Sequence, residues 1–275
     1  MFDGLPRPAL LLPLLAALGL TEAIMLRRRG LGWDWRDAAC SLAIAAGQPV
    51  SRMLGAAVWG WLFVLAWQWR LWTVPLGTAW GLGLLFLGEE LCYYGYHRAS
   101  HRVRWFWATH AVHHSPERLT FAGAYRLGWT GGLTGTGFFF LPLVLLGFAP
   151  AAVFGMLGLN LLYQFWLHTE LVPRLGWLEG IVNTPSAHRV HHARNGPYLD
   201  RNFGGVLMLW DRLFGSYTPE RADLRCDFGL LPPLRSRNPL RVALHEWIAL
   251  GRDLRRAAGW RTRINLLRQP PGELP

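Results

Sequence analysis

The sequence predicts an all-α fold: a polytopic membrane helical bundle with a histidine-rich helical cap on its cytoplasmic side. Three observations carry this expectation. Apolar residues make up 52% of the 275-residue chain and charged residues only 16%, and the apolar residues gather into runs suited to helices that cross or enter a bilayer. There are 16 Trp, whose half-apolar, half-polar ring favours the membrane interface. The net charge of +11 rests on Arg alone, with no Lys. These arginines flank the apolar runs and fill the C-terminal tail, which points to cytoplasmic loops and anionic lipid head groups rather than nucleic acid. Cys40, Cys92 and Cys226 are odd in number and widely spaced, so no disulfide framework is expected.

Taken in order, residues 8–26 are almost entirely apolar, and Arg27, Arg28 and Arg29 follow at once. The basic run lies after the apolar stretch and no small-residue cleavage site precedes it. A spanning helix that ends in the cytoplasm therefore fits better than a signal peptide. Residues 31–48 mix charges with small apolar residues and read as interfacial. A second span covers 50–72 and is rich in Trp (Trp59, Trp61, Trp67, Trp69, Trp72). A third covers 76–96 and continues as helix through HRASH. Two shorter apolar helices, 133–146 and 151–167, form a hairpin over 133–167 that only partly crosses. Alternating these crossings brings the ends of the third span and of the hairpin to the cytoplasmic face. Residues 97–132 and 168–220 then form the cap and 221–275 a basic C-terminal segment, within one integral-membrane domain over 1–275.

Nine of the ten histidines lie on those cap segments. HRASH holds His97 and His101, HAVHH holds His110, His113 and His114, and HRVHH holds His188, His191 and His192. Positions i, i+3 and i+4 share a helix face, so each group can aim its imidazoles at one point. His168 ends the apolar hairpin at the same membrane face. Neutral imidazole suits Fe, Zn, Cu and Ni, and nine rings exceed what one ion can hold, so two metals are implied. Gln164 lies one turn before His168 and is either a partner for a metal-bound water or a helix residue bonded to backbone. Glu90 lies on the His97 stripe. Glu89, Glu170 and Asp211 are further candidates to receive the second ring N–H of a ligating histidine. His245 has no partner in the pattern. Arg118, Arg126 and Arg189 either hold a lipid phosphate or carboxylate or are ordinary positive-inside charge.

The spacing HxxxH, HxxHH and a distant HxxHH resembles the membrane fatty acid hydroxylase/sterol desaturase superfamily. QFWLHTELVPRLG, NTPSAHRVHH and RNFGGVLMLWDRLFGSY also match, and HHSPERLTFAGAYRLGW is similar to its alkylglycerol monooxygenase branch. The resemblance covers about residues 89–219. It implies two iron ions, O2 as co-substrate, and a lipid substrate reached from the membrane. It also implies an external electron donor, either a redox protein or a reduced pterin. The family's ligands carry over to His97, His101, His110, His113, His114, His168, His188, His191 and His192. Hydroxylation of an unactivated C–H bond is the leading expectation, in an integral multi-pass protein of a bacterial inner membrane with its site facing the cytoplasm. A desaturase with the same centre stays open. A membrane zinc hydrolase is weaker, because no HExxH helix is present, and a metal carrier predicts ligands spread along the spans rather than gathered at one face.

Overall fold

The computed structural model describes residues 8–272, with side chains from residue 13 onward; the ends of the expected single domain, 1–7 and 273–275, lie outside the described residues. The described residues are helical, with three isolated bridges and no strand. The helices are α1 (Pro8–Arg28), α2 (Trp35–Ala46), α3 (Gln48–Gln68), α4 (Ala79–Arg102), α5 (Arg104–His114) and α6 (Phe121–Ala124). They continue as α7 (Leu141–Leu146), α8 (Pro150–Phe165), α9 (Pro185–His192), α10 (Leu209–Leu213), α11 (Pro239–Arg256) and α12 (Trp260–Arg268).

Three apolar cores hold these elements. The largest joins α3, α4, α7 and α8 through Phe63, Leu85, Tyr93, Leu143, Val144 and Val153. A second joins α2, α5 and α11 through Cys40, Ile44, Val112 and Val242. A third packs Leu119, Val190, Tyr198 and Phe228 around α9. Residues of α4 and α5 are continuous but for Val103, whose extended backbone (φ −124, ψ 114) turns the chain so that the two helices pack side by side. The cap helices start on capping side chains. Thr184 accepts from Ala187 N at 3.1 Å ahead of Pro185, and Asn238 accepts from Arg241 N at 3.1 Å ahead of Pro239. Both pairs satisfy an orphan donor and preset the first turn.

The interfacial stretch 31–48 is helical over α2, which buries Ala38, Cys40, Ser41 and Ile44 and exposes Trp35 and Leu42. The first arm of the expected hairpin, 133–146, is helical only from Thr136 onward. The left-handed Gly135 (φ 95) stands just before its start, and it runs as a 3-10 turn over Thr136–Phe139 followed by the six-residue α7. Gly147 (φ 111) ends α7, where a side chain would collide with the Trp72 carbonyl. Among the described residues one helical stretch, Trp35–Gln68, is long and apolar enough to cross a membrane, and only 17% of its apolar window is buried. Shorter apolar helices follow at Thr136–Leu146 and Pro150–Phe165.

Candidate metal centre

α4 presents His97 and His101 from consecutive turns, α5 presents His110, His113 and His114, and α9 presents His188, His191 and His192. His168 follows the end of α8. All are buried except half-buried His110. Their ring nitrogens form two groups, each with its atoms within 4.8 Å of one another. The first contains His97, His101, His110, His114 and His191; the second contains His113, His168, His188 and His192.

This partition differs from the expectation that each motif aims at one point. Residues i and i+4 are separated by about 40° around a helix, but i+3 and i+4 by about 100°. His110 and His114 therefore share the first group while His113 turns to the second. On α9 the pattern is mirrored: His188 and His192 share the second group and His191 turns to the first. Each HxxHH motif serves both groups. The two groups touch where His114 and His192 stack, with ring centroids 4.3 Å apart.

The hydrogen-bonding pattern shows what these groups need. Nδ1 of His97 donates to the Phe203 carbonyl at 2.8 Å and that of His191 to the Arg201 carbonyl at 3.0 Å. Nδ1 of His113 donates to the Arg126 carbonyl at 3.2 Å and that of His168 to the Gln164 carbonyl at 2.8 Å. A carbonyl only accepts, so each neutral ring so bonded turns an unprotonated Nε2 inward. His113 Nε2 and His168 Nε2 nevertheless face each other at 3.1 Å. Two lone pairs at that distance repel unless a cation lies between them. The remaining edges within the groups, His97–His110, His110–His114, His168–His188 and His188–His192, are each 3.1 Å between Nε2 atoms. Two imidazoles at about 2.1 Å from one ion and at right angles sit about 3.0 Å apart. Nε2 of His101 and of His191 are buried with no partner at all. Burial also keeps the rings neutral. It holds His97 down to about 3 and His168 to about 4, and His113, His114, His188 and His192 well below the ordinary value. Neutral, inward-facing imidazoles fit a pair of cations and fit protons poorly.

The other expected residues fall nearby, in different roles. The Glu90 carboxylate reaches no histidine; it accepts from Asn160 Nδ2 at 2.7 Å, from Val206 N at 3.0 Å and from Leu207 N at 2.7 Å. Gln164 touches a histidine through its backbone carbonyl, while its side chain donates to Asn160 Oδ1 at 2.5 Å and accepts from Tyr93 Oη at 3.0 Å. Asn160 also donates to Glu89 at 3.1 Å. Asp211 and Glu170 likewise contact no ring: Asp211 holds backbone N–H groups of Phe203 and Gly204, and Glu170 pairs with Arg118 at 2.6 Å. The carboxylate that does approach a ring is Asp200, 3.5 Å from His101 Nδ1. Arg118, Arg126 and Arg189 pair with Glu170, Asp37 and Glu220, and Arg118 keeps one guanidinium nitrogen, Nη2, without a partner. The carbonyls of Arg126, Gln164, Arg201 and Phe203 carry no signal in a sequence, because every residue has one. Beside the centre, a cavity of about 830 Å³ reaches His101, His114, His191 and His192, with His245, Trp107, Arg241 and Arg252 on its walls.

A fatty acid hydroxylase family model matches residues 82–216, a stretch that contains all nine of these histidines. The chain belongs to the membrane fatty acid hydroxylase superfamily. It is 36% identical over 212 residues to a human alkylglycerol monooxygenase, covering 76% of this chain and 46% of that one. A zebrafish (Danio rerio) alkylglycerol monooxygenase is 45% identical over 162 residues, 58% of this chain and 35% of its own. An ornithine lipid hydroxylase from Rhizobium tropici is 32% identical over 150 residues, 54% and 44% of the two chains. This superfamily member thus spans about half the length, or less, of these curated relatives. No solved structure matches it.

Proposed function

We propose that the chain is a membrane-bound lipid monooxygenase. In this reading two iron ions are held by His97, His101, His110, His114 and His191 on one side and by His113, His168, His188 and His192 on the other. The observation that carries it is the pair of touching, buried, all-imidazole groups whose Nε2 lone pairs oppose each other at 3.1 Å. When bound, redox-active ions supply the electron transfers that O2 activation requires. The net reaction inserts one oxygen atom into a C–H bond of the lipid and releases the other as water, with two electrons and two protons from an external donor. A redox protein or a reduced pterin is the donor in this reading.

The chain's own residues have definable tasks. Backbone carbonyls fix the ring tautomers so that Nε2 is free to ligate. The Phe and Tyr side chains around α4 and α8 exclude water from one side of the centre, which a strong oxidant needs. The cavity beside His101, His114, His191 and His192 gives reactants a path from the other. Glu90, through Asn160 and Gln164, braces the carbonyl that orients His168. These are support roles for Glu90 and Gln164, not contact with substrate.

An integral multi-pass protein of a bacterial inner membrane, with the centre facing the cytoplasm, fits the surface. α1, α3 and α4 leave Leu14, Met53, Trp61, Val64, Leu82 and Leu84 exposed, side chains suited to lipid, and α1 ends on Arg27 and Arg28, as positive-inside charge does. In this reading 97–132 and 168–220 are the cap and 221–272 a basic peripheral segment.

Metal analysis and lipid mass spectrometry test the proposal. Purified protein should contain about two iron per chain, and cells expressing it should accumulate a lipid heavier by one oxygen that His113→Ala cells lack. Loss of two hydrogens instead would make it a desaturase. Zinc with no O2 uptake would make it a hydrolase.

A further inference from the structure

The two imidazole groups are held by different parts of the chain, and one of them depends on a single short segment. Residues 200–203 supply the Asp200 carboxylate 3.5 Å from His101 Nδ1, the Arg201 carbonyl 3.0 Å from His191 Nδ1 and the Phe203 carbonyl 2.8 Å from His97 Nδ1. Three of the five rings in the first group are thus oriented by four consecutive residues. The second group takes its carbonyls from Arg126 and Gln164, far away in sequence, and His188 Nδ1 has no partner.

The segment is strained and held tightly. Asp200 (φ 57) and Asn202 (φ 58) are both left-handed without being glycine, a conformation that persists only when the surroundings over-determine it. They do so here. The fully buried Asn202 side chain donates to the Ala187 and Thr218 carbonyls at 3.0 and 2.8 Å and accepts from Thr218 N at 2.8 Å. Asp211 accepts from Phe203 N at 2.8 Å and Gly204 N at 2.6 Å, and from Ser216 at 2.7 Å. Asn183 Nδ2 donates to the Gly204 carbonyl at 2.7 Å. Glu90 takes the next two amides, Val206 and Leu207. Gly205 lies where the Asn160 amide leaves no space for a Cβ.

We infer that residues 200–203 form a collar that sets ligand geometry in the five-histidine group, with Asp200, Asn202 and Asp211 as positioning residues. Ion affinity in that group then depends on the collar, and affinity in the four-histidine group does not. The inference rests on the two-ion reading above and goes beyond it by making the two sites separable.

Cobalt(II) titration of the purified full-length chain in detergent, followed by its visible absorption bands and by competition with a chelator, tests this. Wild type should bind two equivalents. Asp200→Asn, on a partly exposed side chain that leaves the fold intact, should weaken one equivalent by roughly 10- to 100-fold and leave the other and its bands unchanged. Asn202→Gly, which keeps the left-handed backbone but loses the side-chain clamps, should do the same. His168→Ala should remove the opposite equivalent. Equal weakening of both equivalents by Asp200→Asn, or no weakening of either, overturns the collar while the two-ion reading stands. Fewer than two equivalents in wild type overturns both.

Discussion

Arg189 sits between two proposed ligands, His188 and His191, yet its guanidinium points away from them to Glu220 at 2.6 Å and to the Thr169 and Val172 carbonyls. Burial alone would raise the Glu220 pKa, but hydrogen bonds from Arg189 and Ser186 outweigh it and hold the carboxyl below its usual 4.5. A depressed folded pKa stabilises the protein above the unfolded value and loses that contribution as pH falls through the folded one. The contribution of this pair to stability should therefore be constant above about pH 4.5 and decline below it, and Glu220→Gln should remove this part of the slope. The same variant leaves a mostly buried guanidinium without its anion and should cost about 3 kcal/mol, read as a fall in melting temperature. At this scale the sequence was informative about which residue types gather and much less about what they touch. The histidine spacing announced a multi-ligand centre, but not which ring of each HxxHH faces which group, because that depends on how α5 and α9 are rotated against each other. Asp200 and Asn202 were invisible, since their role arises from left-handed backbone and not from a motif.

At the scale of elements, α9 carries three rings on eight residues, too few for a helix to persist on its own. It is held by its Thr184 cap, which also donates to Glu179 at 2.7 Å, and by Val190 in the apolar core. Thr184→Ala should lower stability by about 1 kcal/mol, and Thr184→Ser should restore most of it, measured by chemical denaturation. Gly205→Ala should be more severe, at about 2 kcal/mol, because the new methyl pushes Asn160 off Glu89 and Glu90; a lowered melting temperature with unchanged helical circular dichroism is the expected result. Helices α3, α4 and α8 were legible from their apolar runs to within a few residues. The arm at 133–146 was legible only in part: its composition is apolar, but Gly135 and Gly137 weaken the helix at its start, and it forms a 3-10 turn and the short α7 in place of one α-helix.

For the whole molecule, composition reports a membrane setting more readily than topology. The apolar side chains exposed on α1, α3, α4 and α8 match the 52% apolar content, yet Trp35–Gln68 alone combines length with apolarity among the described residues. In α4 the carboxylates Glu89 and Glu90 interrupt the apolar run, and their partners come from Asn160 and the 206–207 amides, contacts that a hydropathy window does not register. If the proposed multi-pass arrangement holds, alkaline carbonate should leave the chain in the membrane pellet; release to the supernatant would make it peripheral. If two ions bind as proposed, the cavity beside the centre makes them unequal in time. It contacts three rings of the five-histidine group but only His192 of the other. A hydrophilic chelator arriving from that side should strip the protein in two phases, quickly from the open group and slowly from the shielded one, and preparations exposed to it briefly should retain a single, occluded ion.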